Sequence, residues 1–162
     1  MIDWRSRPFE ERNLLNPAFC ALVIAAAVRE FQRTAGKPMP YSLALLVLPL
    51  CLHQATRNEI LANKKTSLLR VVAIRPELLV DFAPRAKGLM QYALEAFALL
   101  ASKGCISVSD EGGITLLPRK VSPQSLTTED AEACRSAATV LGRDFARIND
   151  RVTIYTSLSI RP

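Results

Sequence analysis

Residues 18–28 form an unbroken apolar run, Ala-Phe-Cys-Ala-Leu-Val-Ile-Ala-Ala-Ala-Val, directly behind Asn16-Pro17. Asn is a good helix N-cap, and Pro at the first helical position loses nothing, because an N–H there has no partner. The run predicts a helix from 17 to about 34, amphipathic only from Arg29 onward. A helix apolar on all sides must be buried on all sides, by its own core or by a partner. It is too short to cross a bilayer, which takes roughly 20 apolar residues, and a second run at 43–52 contains Pro49. Asp3, Arg5, Arg7 and Glu10 give the first ten residues no signal-peptide pattern, so a cytoplasmic protein without membrane contact is expected. The 162 residues, 49% hydrophobic and 22% charged, suit one domain spanning 1–162 and exclude a disordered tail.

The rest of the chain reads as mainly α with a small β component. Residues 1–16 are an irregular arm, with Trp4 and Phe9 as anchors. Gly36-Lys37-Pro38-Met39-Pro40 ends the first helix, Ser42 opens a second over 43–52, and Pro49 should kink or break it. Residues 58–65 are polar, Thr66-Ser67 starts a short helix, and 77–82 forms another. From Pro84, the positions Ala86, Leu89, Met90, Ala93, Ala96, Phe97 and Leu100 trace one helical face to Ser102. Gly104 stops that helix. The period then changes: 105–109 and 114–117 read as strands around the turn Asp110-Glu111-Gly112-Gly113. Helix, strand, glycine turn, strand is how a winged helix ends, so 17–120 is expected to be a winged-helix-like core. In 121–162, Ala131, Cys134, Ala138, Leu141, Phe145 and Ile148 trace a further helix opened by Thr127 with Asp130. The alternation of Val152, Ile154, Thr156, Leu158 and Ile160 predicts a C-terminal strand.

Catalytic chemistry has few carriers here. Cys20, Cys51, Cys105 and Cys134 are 31, 54 and 29 positions apart, without the close pairs of a zinc site, and each stands among apolar neighbours. They read as core thiols. His53 is the single histidine, two positions from Cys51, which puts the two on different faces of a helix. No nucleophile elbow and no glycine-rich phosphate loop is present. The expectation is a non-catalytic protein without cofactor or metal. Arg57, Lys64, Lys65, Arg70 and Arg75 face only Glu59 within 57–75, which leaves three readings: a solvated basic face, phosphate contacts to nucleic acid, or an acidic protein partner.

Several stretches, in order, resemble one family: Trp4-Arg5-Ser6-Arg7-Pro8 with Asn13-Leu14-Leu15-Asn16-Pro17-Ala18-Phe19-Cys20; Leu48-Pro49-Leu50-Cys51-Leu52-His53 with Arg57; Thr66-Ser67-Leu68; Phe82-Ala83-Pro84-Arg85-Ala86; and Ile154-Tyr155-Thr156 with Ile160-Arg161-Pro162. They are similar to the middle components of three-component ABC-ATPase systems, bacterial loci linked to defence against phage. The resemblance implies an accessory subunit with a winged-helix-like core, bridging a Rad50-like ATPase and a third, effector-type component; under the nucleic-acid reading of the basic stretch, DNA is reached through the complex. It brings no catalytic residue. Its matched ends and the 53–57 match nominate Trp4, Phe9, His53, Ile154, Tyr155, Leu158 and Ile160 as partner-interface candidates. The rival reading is a stand-alone winged-helix DNA-binding regulator; a small enzyme of unrecognised type is the third.

Overall fold

The computed structural model describes residues 6–122 and 126–161. It is mainly helical with a small three-stranded antiparallel sheet. A short helix α1 (Phe9–Leu14) leads into α2 (Pro17–Ala35), whose entry matches the sequence expectation: Asn16 Oδ1 accepts the Ala18 N–H at 2.8 Å. Gly36 closes the helix with φ 66°, a left-handed cap that favours glycine. Between Cys20 and Phe31 only Leu22 and Arg29 escape burial, so the apolar run is enclosed by the chain's own core.

Strand β1 (Met39–Pro40) and the short helices α3 (Tyr41–Leu45) and α4 (Val47–Cys51) follow. The break falls at Leu46, three residues before Pro49. Proline clashes with the carbonyl four residues back, and Leu45 is that residue, so the first helix ends there and Pro49 sits within the opening turn of the next. Helix α5 (Gln54–Ala62) covers much of the stretch expected to be polar connection, and α6 (Leu68–Ile74) begins at the Ser67 cap. Residues 76–79 make one 3-10 turn where a short helix over 77–82 was expected. Helix α7 (Phe82–Ser102) then runs into β2 (Ile106–Val108), the Gly112 turn and β3 (Gly113–Leu116). The expected hairpin is present, with Val108 opposite Ile114. Its third member was not expected: β1 pairs with β3, Met39 against Ile114, giving the order β1-β3-β2. Two residues are too few to leave an alternation in the sequence. Gln32 Oε1, on α2, accepts the Leu116 N–H at 2.7 Å and holds the sheet to the central helix.

Helix α8 (Glu129–Ile148) packs along α2, while α7 packs on α2 without comparable contact to α8. The chain end corrects the sequence reading: 152–160 is not a strand but contains helix α9 (Arg151–Ser157). Asp150 opens it, its Oδ1 accepting the Val152 N–H at 3.0 Å and its Oδ2 the Thr153 hydroxyl at 2.6 Å. Ile154, Tyr155 and Leu158 are buried at helical spacing, whereas Val152 is 56% exposed. The apparent alternation mixed inward and outward positions. The Tyr155 hydroxyl donates to the Ser42 carbonyl at 2.7 Å, tying α9 to α3.

Two outcomes follow from this packing. Truncating Ile154 to Ala, in a residue fully enclosed by the core, should cost about 2–5 kcal/mol in chemical denaturation, while Val152→Ala should stay within about 0.5 kcal/mol. A methyl group on Gly142 of α8 would stand 2.9 Å from the Ala27 carbonyl carbon and nearer still to its oxygen. Ala is the better helix former by about 1 kcal/mol, yet the collision should win: Gly142→Ala should lower stability by about 1–3 kcal/mol in the same assay. A gain in stability would mean that α2 and α8 are not this close.

Candidate interaction site

The basic residues singled out from the sequence do not form one surface. Arg57, on α5, is only 4% exposed. Its Nη1 donates to the carbonyls of Cys51 at 3.2 Å and Leu52 at 3.4 Å, and lies 3.3 Å from the Cys134 thiol. Its Nη2 pairs with Asp130 at the start of α8. Helix α4 ends at Cys51, so Arg57 satisfies carbonyls that the helix leaves without internal partners. This arginine is a structural clamp and leaves the phosphate-contact set. Arg75 is exposed but engaged, pairing with Glu59 at 2.8 Å and with Glu77. Lys64, Lys65 and Arg70 are exposed on the α5–α6 side of the molecule. Their segment is fixed to α8, because Asp144 Oδ2 accepts the Leu68 N–H at 2.6 Å.

His53 has a definite local role. It is the N-cap of α5: its Nδ1 accepts the Thr56 N–H at 3.4 Å and lies 2.8 Å from the Thr56 hydroxyl. Accepting at Nδ1 places the proton of the neutral ring on Nε2. Burial lowers its pKa from 6.5, and the charges of Arg85 and Arg57 lower it further. The unfolded chain therefore takes up the proton first, so the cap's contribution is complete above 6.5 and is lost as pH falls through the folded value. Replacing His53 by Asn, which also caps helices, should flatten the fall in stability below pH 6.5, measured by denaturation at stepped pH. A parallel pH profile in the variant would remove His53 from that role.

Among the other candidates, Trp4 lies outside the described residues. Phe9 is 69% exposed on α1, open to a partner. Ile154, Tyr155 and Leu158 are buried, so they hold α9 in the core and present no apolar surface, and Ile160 is partly buried against it. The N-terminal segment docks on α7: Arg7 is buried, its two guanidinium nitrogens pair with Glu95, and the Tyr92 hydroxyl donates to Glu11. All four cysteines are free and buried. Burial pushes Cys20 up to about 12 and raises Cys51 and Cys134, the last despite the Arg57 charge beside it, so these thiols stay protonated at neutral pH.

Two surface features had no signal in the sequence. The exposed positions of α7 from Gly88 to Ser102 carry no charge, and Met90 and Leu94 are 47% and 49% exposed there. A groove of about 750 Å³ lies where α1, α2 and the start of α8 meet, lined by Leu15, Phe19, Leu22, Leu126, Arg57 and Asp130 among others. It gathers residues from three distant stretches, 11–22, 52–57 and 126–134, which no local pattern reveals. Among the described residues no helix is long and apolar enough to cross a membrane.

Residues 4–162 match the family of ABC-three component (ABC-3C) system Middle Component 3. The chain belongs to that family. No curated protein and no solved structure matches it. Membership makes the protein a middle component of an ABC-3C system, and the Arg57–His53 junction lies inside one of the stretches that carried the resemblance.

Proposed function

We propose that this middle component is the non-catalytic connecting subunit of a cytoplasmic anti-phage complex, bridging a Rad50-like ATPase and a third, effector-type component. The observation that carries the reading is the Middle Component 3 match, which spans residues 4–162. The uncharged exposed face of α7 and the groove between α1, α2 and α8 support it, because each offers apolar area of the kind that subunit contacts cover. The α8 wall of the groove and the α7 face belong to helices that each pack on α2 without comparable contact to one another.

A winged-helix core is the finer reading of the fold. In its favour, β1 follows the first long helix, a long helix leads directly into the β2–β3 hairpin, and the sheet runs β1-β3-β2. Exposed Lys64, Lys65 and Arg70 favour a DNA-contacting reading of the complex, with phosphates as the target.

The test is reconstitution with the two neighbouring gene products. Leaving this chain out should separate the ATPase from the third component, and the isolated chain should neither hydrolyse ATP nor cleave DNA. Direct association of the other two, or hydrolysis lost on a point mutation in this chain, would overturn the adaptor role. In the assembled complex, reversing Lys64, Lys65 and Arg70 to Glu should weaken DNA binding and reduce its salt dependence. Binding indifferent to the reversal would assign these side chains to a solvated face.

A further inference from the structure

The groove between α1, α2 and the start of α8 combines apolar walls with a buried cation. Leu15, Phe19, Leu22, Leu52 and Leu126 supply the apolar part, and Arg57 lines it from within. Arg57 is 4% exposed, yet its Nε has no hydrogen-bond partner. Its Nη1 is committed to carbonyls and to Cys134, and among the described residues its one ion-pair partner is Asp130, whose side chain is 72% exposed. A pair with one partner in water is readily exchanged, whereas a buried guanidinium left with an idle donor favours a better one. Glu11, the other acid of the groove, is already engaged by the Tyr92 hydroxyl and lies 3.8 Å from Arg7. The N-terminal turn of α2, which also lines the groove, carries no acidic side chain, while that of α8 carries Glu129, Asp130 and Glu132. The first turn of α2 thus supplies no acidic side chain of its own to its positive end.

We propose that this groove receives a short apolar segment of a partner subunit that bears a carboxylate, the carboxylate displacing Asp130 from Arg57 beside the α2 N-terminus. The inference rests on the adaptor reading. A carboxylate can bind a guanidinium through two parallel bonds, where Asp130 makes one, and the flanking apolar side chains lie against the leucines and Phe19.

Ala18 allows a test that leaves the fold intact. It is exposed, lines the groove and occupies the second helical position of α2, where its own N–H is capped by Asn16. A glutamate there favours the helix, so weakened binding by Ala18→Glu reports on the groove. Full-length protein and variants are titrated separately with the purified ATPase and with the third component. For one of them, Ala18→Glu should weaken binding at least about tenfold, Ala18→Lys should bind as well as or better than wild type, and Asp130→Asn, which removes the competing charge, should bind several-fold more tightly. Equal affinities for wild type and Ala18→Glu would overturn the groove and spare the adaptor reading. Equal weakening by Glu and Lys would overturn the carboxylate, and tighter binding with Glu but weaker with Lys would indicate a basic segment instead. If octanoate binds the groove while subunit affinities ignore Ala18→Glu, the site takes a small ligand and the proposal fails. A wild-type chain that binds neither subunit overturns both readings.

Discussion

Everything in this molecule is arranged around the contact between α2 and α8 at Ala27 and Gly142. Two helices can approach this closely only where neither presents a side chain larger than a methyl. At the point of contact the sequence meets that condition with Ala27 on one helix and Gly142 on the other. Small residues bury little area each, so the attraction comes from many backbone and methyl atoms in simultaneous contact. Contact of this kind tolerates sliding, and a charge cluster fixes the register. Glu30, buried on α2, accepts from Arg33 Nη2 at 2.6 Å and from Arg143 Nε at 3.1 Å, and Arg143 directly follows Gly142. The two arginines hold the Glu30 carboxyl below its usual range against the opposing effect of burial. Steric fit sets the distance and the ion cluster sets the alignment.

Arg57 performs the equivalent task at the other end of α8. Helices α4 and α5 are joined by Leu52 and His53 alone, where α4 ends with carbonyls and α5 begins with amides that lack partners within their own helices. One residue answers each need. Arg57 reaches back to the Cys51 and Leu52 carbonyls, His53 caps α5 through Thr56, and the same guanidinium extends to Asp130 on α8. A buried guanidinium is costly to desolvate, and its several hydrogen bonds offset that cost only partly, since Nε stays idle. The connection is thus held by a group whose interactions are incomplete in the isolated chain.

How much of this was legible in sequence depends on the range of the signal. The Asn16-Pro17 entry, the Gly36 exit and the hairpin around Gly112 are set by residues within a few positions of one another and appear where the sequence puts them; on the face of α7, Ala93, Ala96, Phe97 and Leu100 are buried as expected, whereas Met90 is exposed. The C-terminal helix was misread because a period-2 pattern over Val152 to Ile160 coincides with only part of the true buried set, Ile154, Tyr155 and Leu158. Asp150, a helix-opening residue one position before Arg151, was the signal that could have corrected it. Arg57 was read by charge as a surface group, when its partners lie at Cys51, Cys134 and Asp130, two of them over seventy positions away. The groove and the β1–β3 pairing depend on the same long-range assembly.

These two constraints bear on what a connecting subunit needs. The α2–α8 contact makes a stiff centre, with α7 and the N-terminal segment it holds on one flank of α2 and α8 on another. In the proposed assembly the uncharged α7 face and the groove would serve different partners, and α2, enclosed by both flanks, would connect them without a hinge. Arg57 lines the groove, and its other bonds close the α4–α5 connection, so in the proposed assembly an occupant that draws Arg57 from Asp130 acts directly on the junction between α5 and α8. Lys64, Lys65 and Arg70 follow that junction along the chain, on a segment that Asp144 secures to the same α8. A change in the Arg57–Asp130 pair would then reach the basic side through one helix, a shorter route than any through the sheet.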